Sequence, residues 1–143
     1  MDVRLPGEIR PVLDNGIPAV MVTCSAVGIP NTTVISQVYY VDDTHVALSF
    51  QFFNKTIRNV RENPRAHVTV QDMPGFALWV LELQFEHSET EGPVFDAMDM
   101  QIEAIASATG MAGIFKLRAA DIYQVLSVEK IPYGTPPPSP REP

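Results

Sequence analysis

Thr32-Thr33-Val34-Ile35-Ser36-Gln37-Val38-Tyr39-Tyr40-Val41 is the longest β-rich run in the chain. Asp42-Asp43 follows it, and then a second run, His45-Val46-Ala47-Leu48-Ser49-Phe50. β-Branched and aromatic residues suit the pleated surface of a strand. The paired aspartates interrupt the pattern, so the two runs read as a β-hairpin. Upstream, Ala19 to Ser25 is another apolar β run, and Val27-Gly28-Ile29-Pro30-Asn31 reads as the turn between them. Downstream, Asn54 to Asn63 has Ile57 and Val60 at helical spacing, Asn54 as its N-cap and Pro64 as its stop. Ala66 to Gln71 alternates His67 and Thr69 against Val68 and Val70, the period of a strand. Met73-Pro74-Gly75 is a turn, and Phe76 to Phe85 is a strand with Leu78, Val80, Glu82 and Gln84 on one face. Gly92-Pro93 opens the clearest helix, in which Val94, Phe95, Met98, Ile102, Ile105 and Thr109 recur at three-to-four spacing until Gly110 ends it. Ile122 to Lys130 is the last strand. The strands come as hairpins without regular helical crossovers. This predicts a mainly β, α+β fold, an antiparallel sheet or small barrel of six strands with two to three helices, and not a doubly wound sheet.

The chain of 143 residues is long enough for one domain. Apolar residues make up 45% and charged residues 19%, which excludes wholesale disorder. A single cysteine, Cys24, excludes an intramolecular disulfide framework and a multi-cysteine metal site. The longest clean apolar run, Phe76 to Leu81, falls far short of the ~20 residues of a membrane span. The N-terminus carries Asp2 and Glu8 and no apolar core of a signal peptide, so a cytoplasmic setting is expected. Three parts are expected: a helical arm over 1–16 around Ile9, Val12 and Leu13, a β domain over 17–131, and a disordered proline-rich tail over 132–143. The net charge of −7 argues against nucleic acid as a partner, which calls for a basic stripe. Four of the ten Lys and Arg residues, Lys55, Arg58, Arg61 and Arg65, nevertheless fall within eleven residues. Such an island attracts a small anion, or is simply a solvated helix face.

The chemistry-bearing stretch runs from Ser49-Phe50 through Phe52-Phe53 to Asn54-Lys55-Thr56. A strand ends, aromatic residues follow, and a helix opens with a cation and a hydroxyl. Free N–H groups and the dipole at a helix start favour phosphate. Lys55 adds charge, Thr56 a hydroxyl, and the phenylalanines an apolar wall. These residues suit a phosphorylated aromatic ligand; the alternative is a capped surface helix with the phenylalanines in the core. His45, His67 and His87 form no HxH or HxxxH pair, so no zinc site is expected. Cys24 reads as a buried inert thiol, and Glu82, Glu86, Glu89 and Glu91 as a solvated strand face. No triad, Walker or dinucleotide motif occurs, and no catalytic residue is assigned.

The order of these pieces resembles the pyridoxamine 5′-phosphate oxidase-like family of FMN-binding split β-barrels. The most specific parts are Val34 to Asp43 and Phe52-Phe53-Asn54-Lys55-Thr56, with Gly28-Ile29-Pro30 before and Glu62-Asn63-Pro64 after. Glu89 to Pro93 and its helix resemble a subgroup known only as pyridoxamine 5′-phosphate oxidase-related. The resemblance implies a homodimer with flavin in the cleft between subunits. It implies that Lys55 and Thr56 hold the FMN phosphate, with Asn54 beside them among the cofactor-binding residues and Ser49 and Phe50 at the ribityl or phosphate. Val34, Ile35, Ser36 and Gln37 would line the ring edge, Ser36 and Gln37 through their side chains. Related barrels take the deazaflavin F420 or haem instead. Family oxidases often carry arginine where this chain has Val34, and grip substrate through a C-terminal arginine-rich segment; here only Arg141 is cationic after Lys130. The resemblance thus implies a flavin-dependent oxidoreductase acting with a small-molecule substrate or electron donor, but not on pyridoxamine phosphate. The alternative is a non-catalytic flavin-binding or sensory module. Neither involves a membrane.

Overall fold

The computed structural model describes residues 3–14, 18–50, 54–108, 110 and 117–133. Asn15 and Gly16 at the end of the expected helical arm, the aromatic residues Phe52 and Phe53, Thr109 and the tail beyond Tyr133 lie outside the described residues. In chain order the elements are α1 (Ile9–Asp14), β1 (Ala19–Cys24), β2 (Pro30–Ile35), β3 (Val38–Asp42), β4 (His45–Phe50), α2 (Asn54–Glu62), β5 (Arg65–Asp72), β6 (Ala77–Glu89), α3 (Pro93–Ala108) and β7 (Ala119–Pro132).

The fold is α+β, with one antiparallel sheet in the order β2-β1-β5-β6-β7-β4-β3. The sheet has seven strands where the sequence reading gave six, because the run from Thr32 to Val41 is not one strand. It divides at Ser36-Gln37: β2 pairs with β1, and β3 pairs with β4. The expected turn also ends earlier, since Pro30 and Asn31 already belong to β2.

This division dictates the overall curvature. The edge strands β2 and β3 are consecutive in the chain. A flat seven-stranded sheet would hold its edges about 29 Å apart at ~4.8 Å per strand. Ile35 and Val38 are three residues apart and so can be separated by at most about 11 Å. The sheet must therefore roll up until its edges approach. It does so without a β2–β3 ladder, leaving a split barrel.

Inward-facing residues fill the barrel. Met21, Ile35, Val46, Val68, Leu81, Leu83, Tyr123 and Val125 form one buried cluster, joined by Ile9, Val12 and Leu13 of α1 and Val60 of α2. The N-terminal helix is thus built into the core. A second cluster lies on the opposite face of β4 and β7, where Met98 and Ile102 of α3 cover Ala47, Ala120 and Ile122. Gly110, at φ +74°, takes the left-handed conformation expected just past a helix end.

Candidate functional site

Helix α2 is amphipathic, and its two faces have different tasks. Thr56, Asn59 and Val60 are buried, whereas Lys55, Arg58 and Arg61 are exposed. Two side-chain bonds pin the inner face. Asn59 Nδ2 donates to Thr23 Oγ1 of β1 at 3.1 Å, and Asn31 Nδ2 of β2 donates to Thr56 Oγ1 at 3.2 Å. The Thr56 hydroxyl therefore faces the barrel. What its residue leaves toward a ligand is the backbone N–H of the first turn, one of the donors without an intrahelical partner. Lys55, beside it, carries a full positive charge into solvent.

The other expected residues gather at the far end of β2. The Ser36 and Ser49 hydroxyls lie 3.1 Å apart and tie the bend after β2 to the end of β4. Ser49 is buried, Val34 is exposed and Ile35 belongs to the barrel core. Gln37 is buried, and its Nε2 donates to Gln101 Oε1 on α3. The backbone of Phe50 and Asn54 continues β4 and opens α2. Two polar stations thus stand along β2 and the bend that follows it, one at Asn31–Thr56 and one at Ser36–Ser49. They are five residues apart, about 16–17 Å at ~3.3 Å per residue. A cation and the first-turn N–H groups of α2 stand at one station, hydroxyls and an amide at the other. This set can hold an extended ligand with an anion at one end and a polar ring at the other.

The pyridoxamine 5′-phosphate oxidase family profile matches residues 5–126, most of the chain. The chain belongs to this family. Solved structures of similar fold include an FMN-binding protein from Syntrophomonas wolfei, with 16% identity and a TM-score of 0.68, covering 85% of this chain and 82% of its own. An F420 reductase follows at 11% identity and a TM-score of 0.64, covering 87% of this chain and 98% of its own. The haem storage protein HutZ from Vibrio cholerae has 14% identity and a TM-score of 0.58, covering 88% of this chain and 94% of its own. No curated protein matches the sequence.

In this member of the pyridoxamine 5′-phosphate oxidase family, all three histidines are tied to carboxylates. His67 Nδ1 meets Glu82, His87 Nε2 meets Glu89 at 2.9 Å, and His45 Nε2 meets Glu86 at 2.8 Å. Three of the four glutamates read as a solvated strand face, Glu82, Glu86 and Glu89, are these partners. No group of three or more metal-ligating side chains is arranged to hold an ion among the described residues.

His45 is held hardest. Its Nδ1 also lies 3.0 Å from Asp42 Oδ1, so both ring nitrogens face carboxylates. Partial burial pushes its pKa down, but the hydrogen bonds and charges of Glu86 and Asp42 outweigh this and hold it above the ordinary histidine value. A pKa raised by folding stabilises the protein fully below the unfolded value, ~6.5, and the gain is lost as pH rises through the folded value. The melting temperature should therefore fall as pH rises from about 6.5, by an amount equivalent to at most about 1 kcal/mol for a partly exposed pair. His45→Gln should flatten that part of the profile. Equal slopes for wild type and variant between pH 6 and 9 would refute the assignment.

Asp121 of β7 is buried inside the barrel and accepts from Ser88 Oγ at 2.6 Å. Burial raises its pKa; the Ser88 bond and the Arg61 charge only partly offset this. A separate open groove of about 170 Å³ runs along β1 and β5, lined by Val22, Cys24, Arg65, His67 and Glu82 among others. None of the expected ligand residues lines it. Cys24 is half-buried there, not in the core. Asn31 and Gln101 were missed by sequence reasoning. Asn31 reads as part of a turn, and nothing in the sequence singles out Gln101; only long-range pairing brings them to Thr56 and Gln37.

Proposed function

We propose that the protein is a dimeric flavin-binding member of this family that carries FMN along β2, with oxidoreductase activity as its function. The observation that carries the reading is the pair of polar stations along β2 and the bend that follows it. Lys55 and the first-turn N–H groups of α2 would hold the phosphate. Ser36, Gln37 and Ser49 would hold the ring end, with the backbone of Val34 and Ile35 along its edge and Phe50 and Asn54 in the connecting stretch. Bound there, FMN would supply hydride or single-electron transfer. The chain's own part is binding and orientation: the expected ligand residues offer hydroxyls, amides and one cation, and no side-chain base.

A second copy would complete the site. Val20 and Val34 face each other across β1 and β2, and both are exposed on the outside of the barrel at 41% and 59%. An apolar sheet face of this kind suits a homodimer. Pyridoxamine phosphate is a poor substrate on this reading, because Val34 brings no charge where family oxidases often carry arginine. No described helix is long and apolar enough to cross a membrane, and a cytoplasmic setting fits the reading.

The test is the visible spectrum of the purified protein, followed by titration with FMN. Flavin bands, or saturable binding at micromolar concentration or tighter, are expected. A Soret band with no flavin affinity would replace the cofactor by haem, and selective binding of F420 would replace it by deazaflavin. Turnover with NAD(P)H separates an enzyme from a binding or sensory module, which would bind tightly and turn nothing over.

A further inference from the structure

Two buried side-chain polar atoms among the described residues lack a hydrogen-bond partner, Gln37 Oε1 and Trp79 Nε1. Trp79 is packed in the inner core cluster beneath Lys130. Gln37 is buried but lies in no strand or helix. It stands in the two-residue bend between β2 and β3, next to the Ser36–Ser49 pair, and is 3% exposed. Its Nε2 is committed to Gln101 Oε1. With the nitrogen facing α3 in this way, the oxygen remains as an acceptor with no donor. A buried acceptor in this state destabilises the fold that keeps it, and native structures keep few of them.

We propose that Gln37 Oε1 is the acceptor for the imide N–H of an isoalloxazine-type ring, and that Gln101 is the positioning residue that presents it. The inference rests on the flavin reading above and narrows it. The pyrimidine end of FMN or of a deazaflavin carries one N–H between two carbonyls. The edge of iron protoporphyrin carries hydrocarbon groups and two ionised carboxylates, which only accept. Haem would leave Gln37 Oε1 as orphaned as before, whereas an imide N–H satisfies it. The unpaired oxygen thus selects flavin or deazaflavin over haem. Gln101 is exposed on α3, so its side chain can adjust as the ring arrives while keeping its bond to the Gln37 nitrogen. The polar bend and α3 would together form the ring end of the site.

The test uses the full chain with FMN and with FMN methylated at the imide nitrogen, read by quenching of flavin fluorescence. Wild type should bind the methylated cofactor at least tenfold more weakly than FMN. Gln37→Leu should bind FMN at least tenfold more weakly than wild type, and should bind the two cofactors alike. Its ligand-free melting temperature should rise, since an unpaired buried acceptor has been removed. Gln101→Leu should weaken FMN and Gln101→Glu should restore it, because only the glutamate offers an oxygen to Gln37 Nε2. Equal affinity of wild type for FMN and methylated FMN would overturn the proposal, and that measurement needs no variant to fold. Wild type that binds neither FMN nor F420 would overturn the flavin reading itself and this inference with it.

Discussion

Leu81→Ala should destabilise the protein by about 2–5 kcal/mol, the range for removing a fully buried leucine from a core that cannot collapse around the gap. Leu81 is fully buried on β6, the middle strand of the sheet. It lies between Val68 of β5 and Val128 of β7 in the ladder, so the strands on both sides are fixed by hydrogen bonds. Neither neighbour can move in without breaking register. Against a typical total of ~5–15 kcal/mol this is a large fraction. Met100→Ala is the control: Met100 is 71% exposed on α3, and its loss should change stability by no more than about 0.5 kcal/mol. Urea unfolding of both variants decides the matter. A shift in midpoint with an unchanged slope is expected for Leu81→Ala. Similar midpoints for the two would mean that the barrel interior is not the core.

Why the barrel was legible and its split was not can be traced to particular residues. Most strands announced themselves by alternation. In β5, Ala66, Val68 and Val70 face inward and His67 and Thr69 outward. The same holds along most of β6. Between Thr32 and Val41 the alternation fails as a guide. Thr33 and Ile35 face inward, and then Val38 and Tyr40 do, so the inward parity changes across Ser36-Gln37. That phase change was present in the sequence, but Val34, Tyr39 and Val41 are also apolar and masked it. No glycine or proline marks the bend. What breaks the strand is tertiary: β1 and β4 compete for the two halves, and each half bonds to its own partner.

The candidate site was legible to the same depth. Asn54-Lys55-Thr56 declared a helix start, and α2 begins there. The direction of the Thr56 hydroxyl could not be read, because it depends on Asn31, 25 residues away. Likewise Gln37 was named for its position, but its orphaned oxygen depends on Gln101, 64 residues on.

Lys55→Ala should weaken FMN binding by about 10- to 150-fold, the equivalent of ~1.5–3 kcal/mol for a hydrogen bond to a charged group. The same substitution should leave the ligand-free protein within about 0.5 kcal/mol of wild type, because the Lys55 side chain is exposed and supports no core contact. Arg58, also exposed and one turn along α2, separates two causes. If the basic island acts as a diffuse field, Arg58→Ala should cost as much as Lys55→Ala, and 0.5 M salt should abolish both effects, since the Debye length at that ionic strength is shorter than ~8 Å. If the phosphate sits at the start of α2, Lys55→Ala should dominate and Arg58→Ala should cost less than threefold. Lys55→Arg then keeps charge and reach and should recover most of the affinity. Thr56→Val reports on the neighbouring position. Its hydroxyl faces Asn31, so this variant should lower stability through the stranded Asn31 amide while the backbone N–H still serves the phosphate. FMN affinity unchanged in Lys55→Ala would mean that the anion lies elsewhere and that the helix start is only the end of a well-anchored surface helix.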